Sequence, residues 1–458
     1  MSRDRPGGPA GWRSAAVVAL LMALALAGAG SPAAAESYVP VYGAGSTWSA
    51  NAVDQWRKDV QQYGMTIGYG ATGSSDGRRQ FINGTADFAA SDIPFQFHPE
   101  DGSPAEVPPS YAYMPITAGG TVFMYNLTIN GQRVTNLRLS GENASKIFTG
   151  VITSWNDPAV AADNPGLTLP NRRVVPVVRS DGSGSTAQFS LWMISQHPDQ
   201  WNAYCNRSGR APKCGETSYY PTVPGMIAQA GDLGVAGYVA QGYADGAIGY
   251  VNYSYALNAG FPVAKMLNAA GFYTEPTPDN VAVSLLKAEI NNDQSSPDYL
   301  TQKLDGVYAD ADPRTYPLSS YSYLILPTAV QGRFDTNKGK TLGAFSYYAM
   351  CQGQQESASL GYSPMPINLV QASLDQIRKI PGVVVQNVNI QSCHNPTFSS
   401  DGTNLLAARA AMPQACDKQG AVQCATGTGG ARNHPTATAG GGGTGTGARG
   451  GATGGQAA

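Results

Sequence analysis

Short apolar runs that end in Gly/Ser loops and then give way to helical periodicity recur along this chain. Val41-Tyr42 enters Gly43-Ala44-Gly45-Ser46-Thr47-Trp48. From Ser49 to Tyr63, Ala52, Val53, Trp56 and Val60 fall at three- and four-residue steps, which predicts one face of a helix. Met65 to Tyr69 reads as a strand entering a second loop, Gly70 to Gly77, and Arg78 to Asn83 resumes a short helix. Ala86 to Ala90 reads as a buried strand that stops at Ser91-Asp92. A third loop, Ser180 to Thr186, follows the apolar run Val174 to Val178 and Arg179, and a helix from Ala187 to Ile194 leads out of it. Strand, loop and helix in this alternation predict an α/β class with a mainly parallel sheet covered by helices.

Between and beyond these loops the pattern continues. Ala112–Pro115 and Thr121–Asn126 read as two strands, and Ser140–Phe148 as a helix. Trp201–Pro224 reads as a surface insertion and Ala247–Val251 as a strand. Asp279–Asn291 is expected to be a helix with Asp279 as its N-cap. Tyr316–Leu326 reads as a strand, and Thr341–Ala349, Ile367–Ile380 and Thr403–Met412 as helices. Ala425 to Ala458 is almost wholly Gly, Thr and Ala, a composition that predicts a flexible tail with no core of its own.

Composition narrows the class. The 458 residues suffice for two or three domains, and 42% apolar content supplies a core. Charged residues are only 13%, about half the usual share. A net charge of −2 argues against a nucleic-acid partner, which would demand a basic face. Arg3, Arg5 and Arg13, then an uncharged stretch from Ala15 to Gly30, then Ala33-Ala34-Ala35, read as a secretory signal cleaved before Glu36. The stretch is shorter than the roughly 20 residues a membrane span needs. No Cys lies near the cleavage site, so no lipid anchor is expected there. The six Cys all lie in the exported part, where an even count points to three disulfides. Fifteen pairings are open, and pairing between sequence neighbours would join Cys205–Cys214, Cys351–Cys393 and Cys416–Cys424. No spacing suits zinc, so neither metal nor cofactor is expected.

The candidate chemistry lies in the third loop. Free N–H groups at a helix start hold oxyanions, and Arg179 adds a fixed fork of donors that Asp181 could steady. A turn with a capped helix would use the same residue types.

Seven blocks in order resemble the PstS-type phosphate-binding receptors of ABC importers. These are Gly43-Ala-Gly-Ser-Thr47, Gly73-Ser-Ser75, Asp87-Phe-Ala-Ala-Ser-Asp92, Ile147-Phe-Thr-Gly-Val-Ile-Thr-Ser-Trp-Asn156, Asn164-Pro-Gly166, Arg179 with Asp181-Gly-Ser-Gly184, and Gly246-Ala-Ile-Gly-Tyr-Val251. The resemblance implies a two-lobed periplasmic-binding-protein-like fold with a hinge. Signal peptide 1–35 would be followed by lobe one at 36–117 and 313–398, lobe two at 118–312, a Cys-bearing extension at 399–424 and the tail at 425–458. It implies phosphate ligands Thr47, Trp48, Ser74 and Asp92 on lobe one and Arg179, Ser183, Gly184 and Ser185 on lobe two, with Asp181 behind Arg179. Trp48 and Ser185 stand where the family commonly has Phe and Thr. The expected partners are inorganic phosphate and ABC permease subunits, with the protein exported, monomeric and not an enzyme. Asp92 would accept a hydrogen bond from a P–OH group, which sulfate lacks, and such a site can discriminate by ~10⁴ or more.

Two motifs point elsewhere. Gly68-x-Gly70-x-x-Gly73 fits the dinucleotide fingerprint. Gly73-Ser74-Ser75-Asp76-Gly77 fits the nucleophile elbow of a secreted serine hydrolase, with Ser75 as nucleophile and His197 as the least excluded base. A third alternative is an extracellular phosphate scavenger uncoupled from transport.

Overall fold

Eight strands form one sheet whose two ends are parallel and whose middle is antiparallel. In chain order they are β1 (Val41–Gly45), β2 (Ile67–Gly70), β3 (Phe88–Ser91), β4 (Tyr111–Tyr125), β5 (Val175–Arg179), β6 (Ile227–Gln229), β7 (Ala247–Asn252) and β8 (Ser319–Pro327). The spatial order is β2-β1-β3-β8-β4-β7-β5-β6. This computed structural model describes residues 37–399, 401 and 403–438. From Val39 on the described residues form one compact unit. The expected signal peptide lies outside them.

β1 pairs in parallel with β2 and β3, and β5 with β6 and β7. Of these, β1, β3, β5 and β7 are mostly buried, with Val, Ala, Phe and Ile inside as parallel strands covered by helices require, while β2 and β6 at the sheet edges are only partly buried. Between them runs β4, where the sequence predicts two strands. Gly119-Gly120 and Pro115 do not break it, because β8 pairs with residues 111–120 and β7 with residues 121–125. The neighbours supply the ladder that local propensity alone would not hold. The expected boundary at 117/118 therefore falls inside one continuous strand.

Helices leave the carboxyl ends of the outer strands: α1 (Ala50–Asp59) after β1, α2 (Ser74–Ile82) after β2, α3 (Gly184–Gln196) after β5 and α4 (Gly231–Val239) after β6. Both α2 and α3 begin inside the Gly/Ser loops, earlier than the apolar periodicity indicates. Their first turns carry Ser, Gly and Asp, which suit a helix start better than a helix middle.

Four other expectations need correction. The helix expected at Asp279–Asn291 is α5 (Pro278–Ser284); Thr277 is its N-cap, accepting from the Asn280 N–H, and Pro278 opens it. The segment expected as a surface insertion buries Trp201, Tyr204 and Tyr220. The Thr403–Met412 helix shrinks to α6 (Leu405–Arg409), which packs on α5 through Leu406, Ala407, Ala282 and Val283. Residues 425–438, expected as flexible tail, are packed. Thr428 is fully buried, and its hydroxyl donates to the carbonyls of Val263 (2.6 Å) and Thr135 (3.0 Å). Residues 439–458 lie outside the described part.

All three disulfides join sequence neighbours: Cys205–Cys214, Cys351–Cys393 and Cys416–Cys424. Among the described residues no helix is long and apolar enough to cross a membrane. Among them, too, no cluster of His, Cys, Asp and Glu could hold a metal ion.

Candidate functional site

The carboxyl ends of β1, β2, β3, β5, β6 and β7 converge, and open α/β sheets bind ligands at such ends. From β3 comes Asp92, 3% exposed. Its Oδ1 accepts from Ser46 Oγ (2.7 Å) and Ser322 Oγ (2.8 Å), and its Oδ2 from Ser74 Oγ (3.2 Å). Burial pushes its pKa up to about 6 against the pull of those hydroxyls, and the nearby Asp232 charge adds to the rise. Ser74 can open α2 because Gly73 turns the chain at φ 98°, a left-handed conformation that suits glycine.

From β5 comes Arg179, 2% exposed. Its Nε donates to Asp181 Oδ1 (2.8 Å), its Nη2 to Asp181 Oδ2, and its Nη1 to Asp232 Oδ2. Burial opposes the guanidinium charge, but the carboxylates of Asp232 and Asp181 outweigh it and hold the group charged far above its ordinary range. Burial would likewise raise the Asp181 pKa, yet Arg179 and the Gly231 N–H hold it below the usual carboxylate value.

Ser183 caps α3, its hydroxyl oxygen accepting from the Thr186 N–H at 3.1 Å. Gly184 and Ser185 follow as the first two helical residues. Among the described residues no acceptor takes their N–H groups, as expected at the start of a 13-residue helix. The Ser185 hydroxyl is buried with no hydrogen-bond partner. A buried orphan hydroxyl beside free N–H groups is what an anion would satisfy.

The loops touch. Thr47 Oγ1 donates to Asp232 Oδ2 and accepts from the Asp232 N–H (3.2 Å), joining the loop after β1 to α4. A Cβ on Gly184 would lie 2.5 Å from both Asp92 Oδ2 and Ser74 Oγ. Trp48 takes no side-chain part: its indole donates to Thr121 Oγ1 (3.1 Å) and stacks edge-on against Tyr362. Its carbonyl is taken by Tyr362 Oη, and its N–H has no acceptor among the described residues.

Sequence reasoning missed Asp232, Ser46 and Ser322. Asp232 had a signal: Ile227-Ala228-Gln229 leading into Gly231-Asp232 is a fourth strand, loop and helix start.

The family model of the PBP superfamily domain matches residues 27–352. A phosphate-binding protein PstS of Xylella fastidiosa is 30% identical over 334 residues, 72% of this chain and 83% of that one. The chain belongs to the PstS family. A PstS of Pasteurella multocida is 29% identical, over 72% of this chain and 88% of its own length. The fold matches the phosphate-binding protein of Stenotrophomonas maltophilia at a TM-score of 0.53 and 17% identity, covering 80% of this chain and 99% of that chain.

This family assignment gives no support to the hydrolase reading, and the geometry opposes it. Ser75 Oγ lies beside Arg78 Nη2 at 3.5 Å, and its N–H donates to the Gly182 carbonyl. His197, the base that reading needs, packs on Trp192 instead.

Proposed function

We propose that this protein is an exported receptor that encloses inorganic phosphate between two lobes and hands it to the permease of an ABC importer, with no chemistry performed on it. The observation that carries the reading is Asp92. It is a buried carboxylate set among hydroxyls, close to the free N–H groups that open α3. Donors alone would suit any oxyanion. An ionised acceptor among them suits one that brings its own proton and penalises one that does not.

Thr47, Trp48, Ser74 and Asp92 form one half of the site, and Arg179, Ser183, Gly184 and Ser185 the other. Thr47 and Ser74 give hydroxyls and Trp48 a backbone N–H. Arg179, steadied by Asp181, supplies the charge, and α3 supplies aligned N–H groups. The hinge lies on β4 and β8, the two strands that join the parallel ends of the sheet. Closure about it removes water and strengthens every dipole inside. Relatives named phosphate-binding protein PstS support the ligand.

Titration calorimetry of the chain from Glu36 with phosphate, sulfate and arsenate tests this. Tight binding of phosphate and arsenate with no heat from sulfate is expected. Equal binding of sulfate, or no binding of phosphate, defeats it.

A further inference from the structure

A cavity of about 420 Å³ lies beside α2, and none of the residues assigned to phosphate lines it. Its size is that of a small-molecule site. Ile82, Ile93, Pro99, Pro104, Val107 and Tyr219 give it apolar walls, and Val107 and Tyr219 are exposed. Five charged side chains also line it, and four of them are matched. Arg78 Nε donates to both Glu106 oxygens (3.1 and 2.9 Å) and its Nη1 to Ser91 Oγ (3.0 Å). Arg79 pairs with Asp76, and Asp101 with Arg210 (3.5 Å) and the Thr217 hydroxyl (2.7 Å). Among the described residues only Glu216 of the five has no partner, and its Oε1 is buried. Burial pushes its pKa up to about 7 against the pull of the Arg78 charge, and the charges of Asp101 and Glu100 add to the rise. The backbone on both sides of it is anchored. Trp201 Nε1 donates to the Cys214 carbonyl (2.7 Å), the Thr217 N–H donates to Ser190 Oγ (3.0 Å), and Cys205–Cys214 closes the loop.

We propose that this cavity is a second ligand site, for a small organic cation whose ammonium group bonds Glu216 and whose apolar body covers Ile82, Val107 and Tyr219. A carboxylate held out of water without a partner is costly, and a ligand N–H donor that carries the opposite charge removes that cost. A neutral ligand would leave the charge unmatched, and an anion would add to it. A bare metal ion is a poor occupant, because among the described residues no group of acidic, His or Cys side chains could hold one. The proposal stands apart from the phosphate reading and does not depend on it.

The test is calorimetry of the chain from Glu36 with three indoles of one shape: tryptamine, the neutral alcohol tryptophol and the anion indole-3-acetate. At about pH 8 a primary amine keeps its proton and Glu216 is ionised. Tryptamine is expected to bind about 10- to 100-fold more tightly than tryptophol, and indole-3-acetate not at all. Saturating phosphate should leave tryptamine binding in place, because the two sites share no residue. In Glu216→Gln the preference for the amine over the alcohol is expected to vanish, while the phosphate titration and the melting temperature hold. No binding of tryptamine, equal binding of amine and alcohol by the wild type, displacement of tryptamine by phosphate, or an unchanged preference in Glu216→Gln overturns the proposal. Should Glu216→Gln fail to fold, a crystal of the wild type grown with tryptamine decides. An ammonium group within hydrogen-bond distance of Glu216 supports the site, and tryptamine elsewhere or absent overturns it.

Discussion

Replacing Gly184 with alanine adds one methyl group where the two halves of the site meet. The new Cβ would lie 2.5 Å from Asp92 Oδ2 and from Ser74 Oγ, and 2.7 Å from Asp92 Cβ. Ordinary contact is about 3.5 Å, so the overlap is about 1 Å. Asp92 cannot yield easily, since Ser46 and Ser322 hold its other oxygen. Overpacking of this kind costs about 1–3 kcal/mol. Borne only by the closed form, that cost weakens phosphate binding about 5- to 150-fold. The Gly184 backbone N–H, which we assign to the phosphate site, is retained. Gly184 opens α3, where alanine is well accommodated, so the melting temperature of the ligand-free protein should not fall. Gly237→Ala in α4, with nothing within 4 Å of its Cβ, is the control and should bind as the wild type does. Titration calorimetry paired with thermal melts reads both quantities. Unchanged affinity for phosphate in Gly184→Ala would refute the reasoning that these halves close on one another.

Asp92→Asn turns an acceptor into a donor, so sulfate binding should become measurable by the same calorimetry while phosphate affinity drops. The raised Asp92 pKa carries a signed stability consequence. Its contribution is fully present below the ordinary carboxylate range and is lost as pH rises through about 6, worth up to about 3 kcal/mol. Calorimetric melts of the ligand-free protein should therefore show falling stability from about pH 4 to about pH 7, with a shallower slope in Asp92→Asn. Replacing Cys351 and Cys393 by serine opens a loop with a sequence separation of 42 and should cost about 4 kcal/mol in urea unfolding. The same change at Cys205 and Cys214, separation 9, should cost about 2.5 kcal/mol.

The strand-loop-helix units were legible because Gly and Ser runs interrupt apolar stretches where the backbone must present N–H groups. Asp232 was not, because β6 has only three residues and an acid in a first helical turn is an ordinary helix start. Ser322 sits in an apolar run, and which way its hydroxyl faces is decided by pairing with distant strands. Continuity of β4 through Gly119-Gly120 has the same origin. Residues 425–438 lack apolar mass, so composition reads them as tail. What holds them is hydrogen bonding by Thr428 and the close approach that Gly429 and Gly430 allow to Phe261 and Gly260.

The ladder between β4 and β8 slips its register between Ser322 and Tyr323, and Ser322 is also a donor to Asp92. The residue that donates to the carboxylate is thus part of the local irregularity in the two strands on which we place the hinge. On that proposal, loading the pocket and flexing the sheet share one backbone position, and amide exchange at Tyr323 becomes a remote gauge of whether the cargo is aboard.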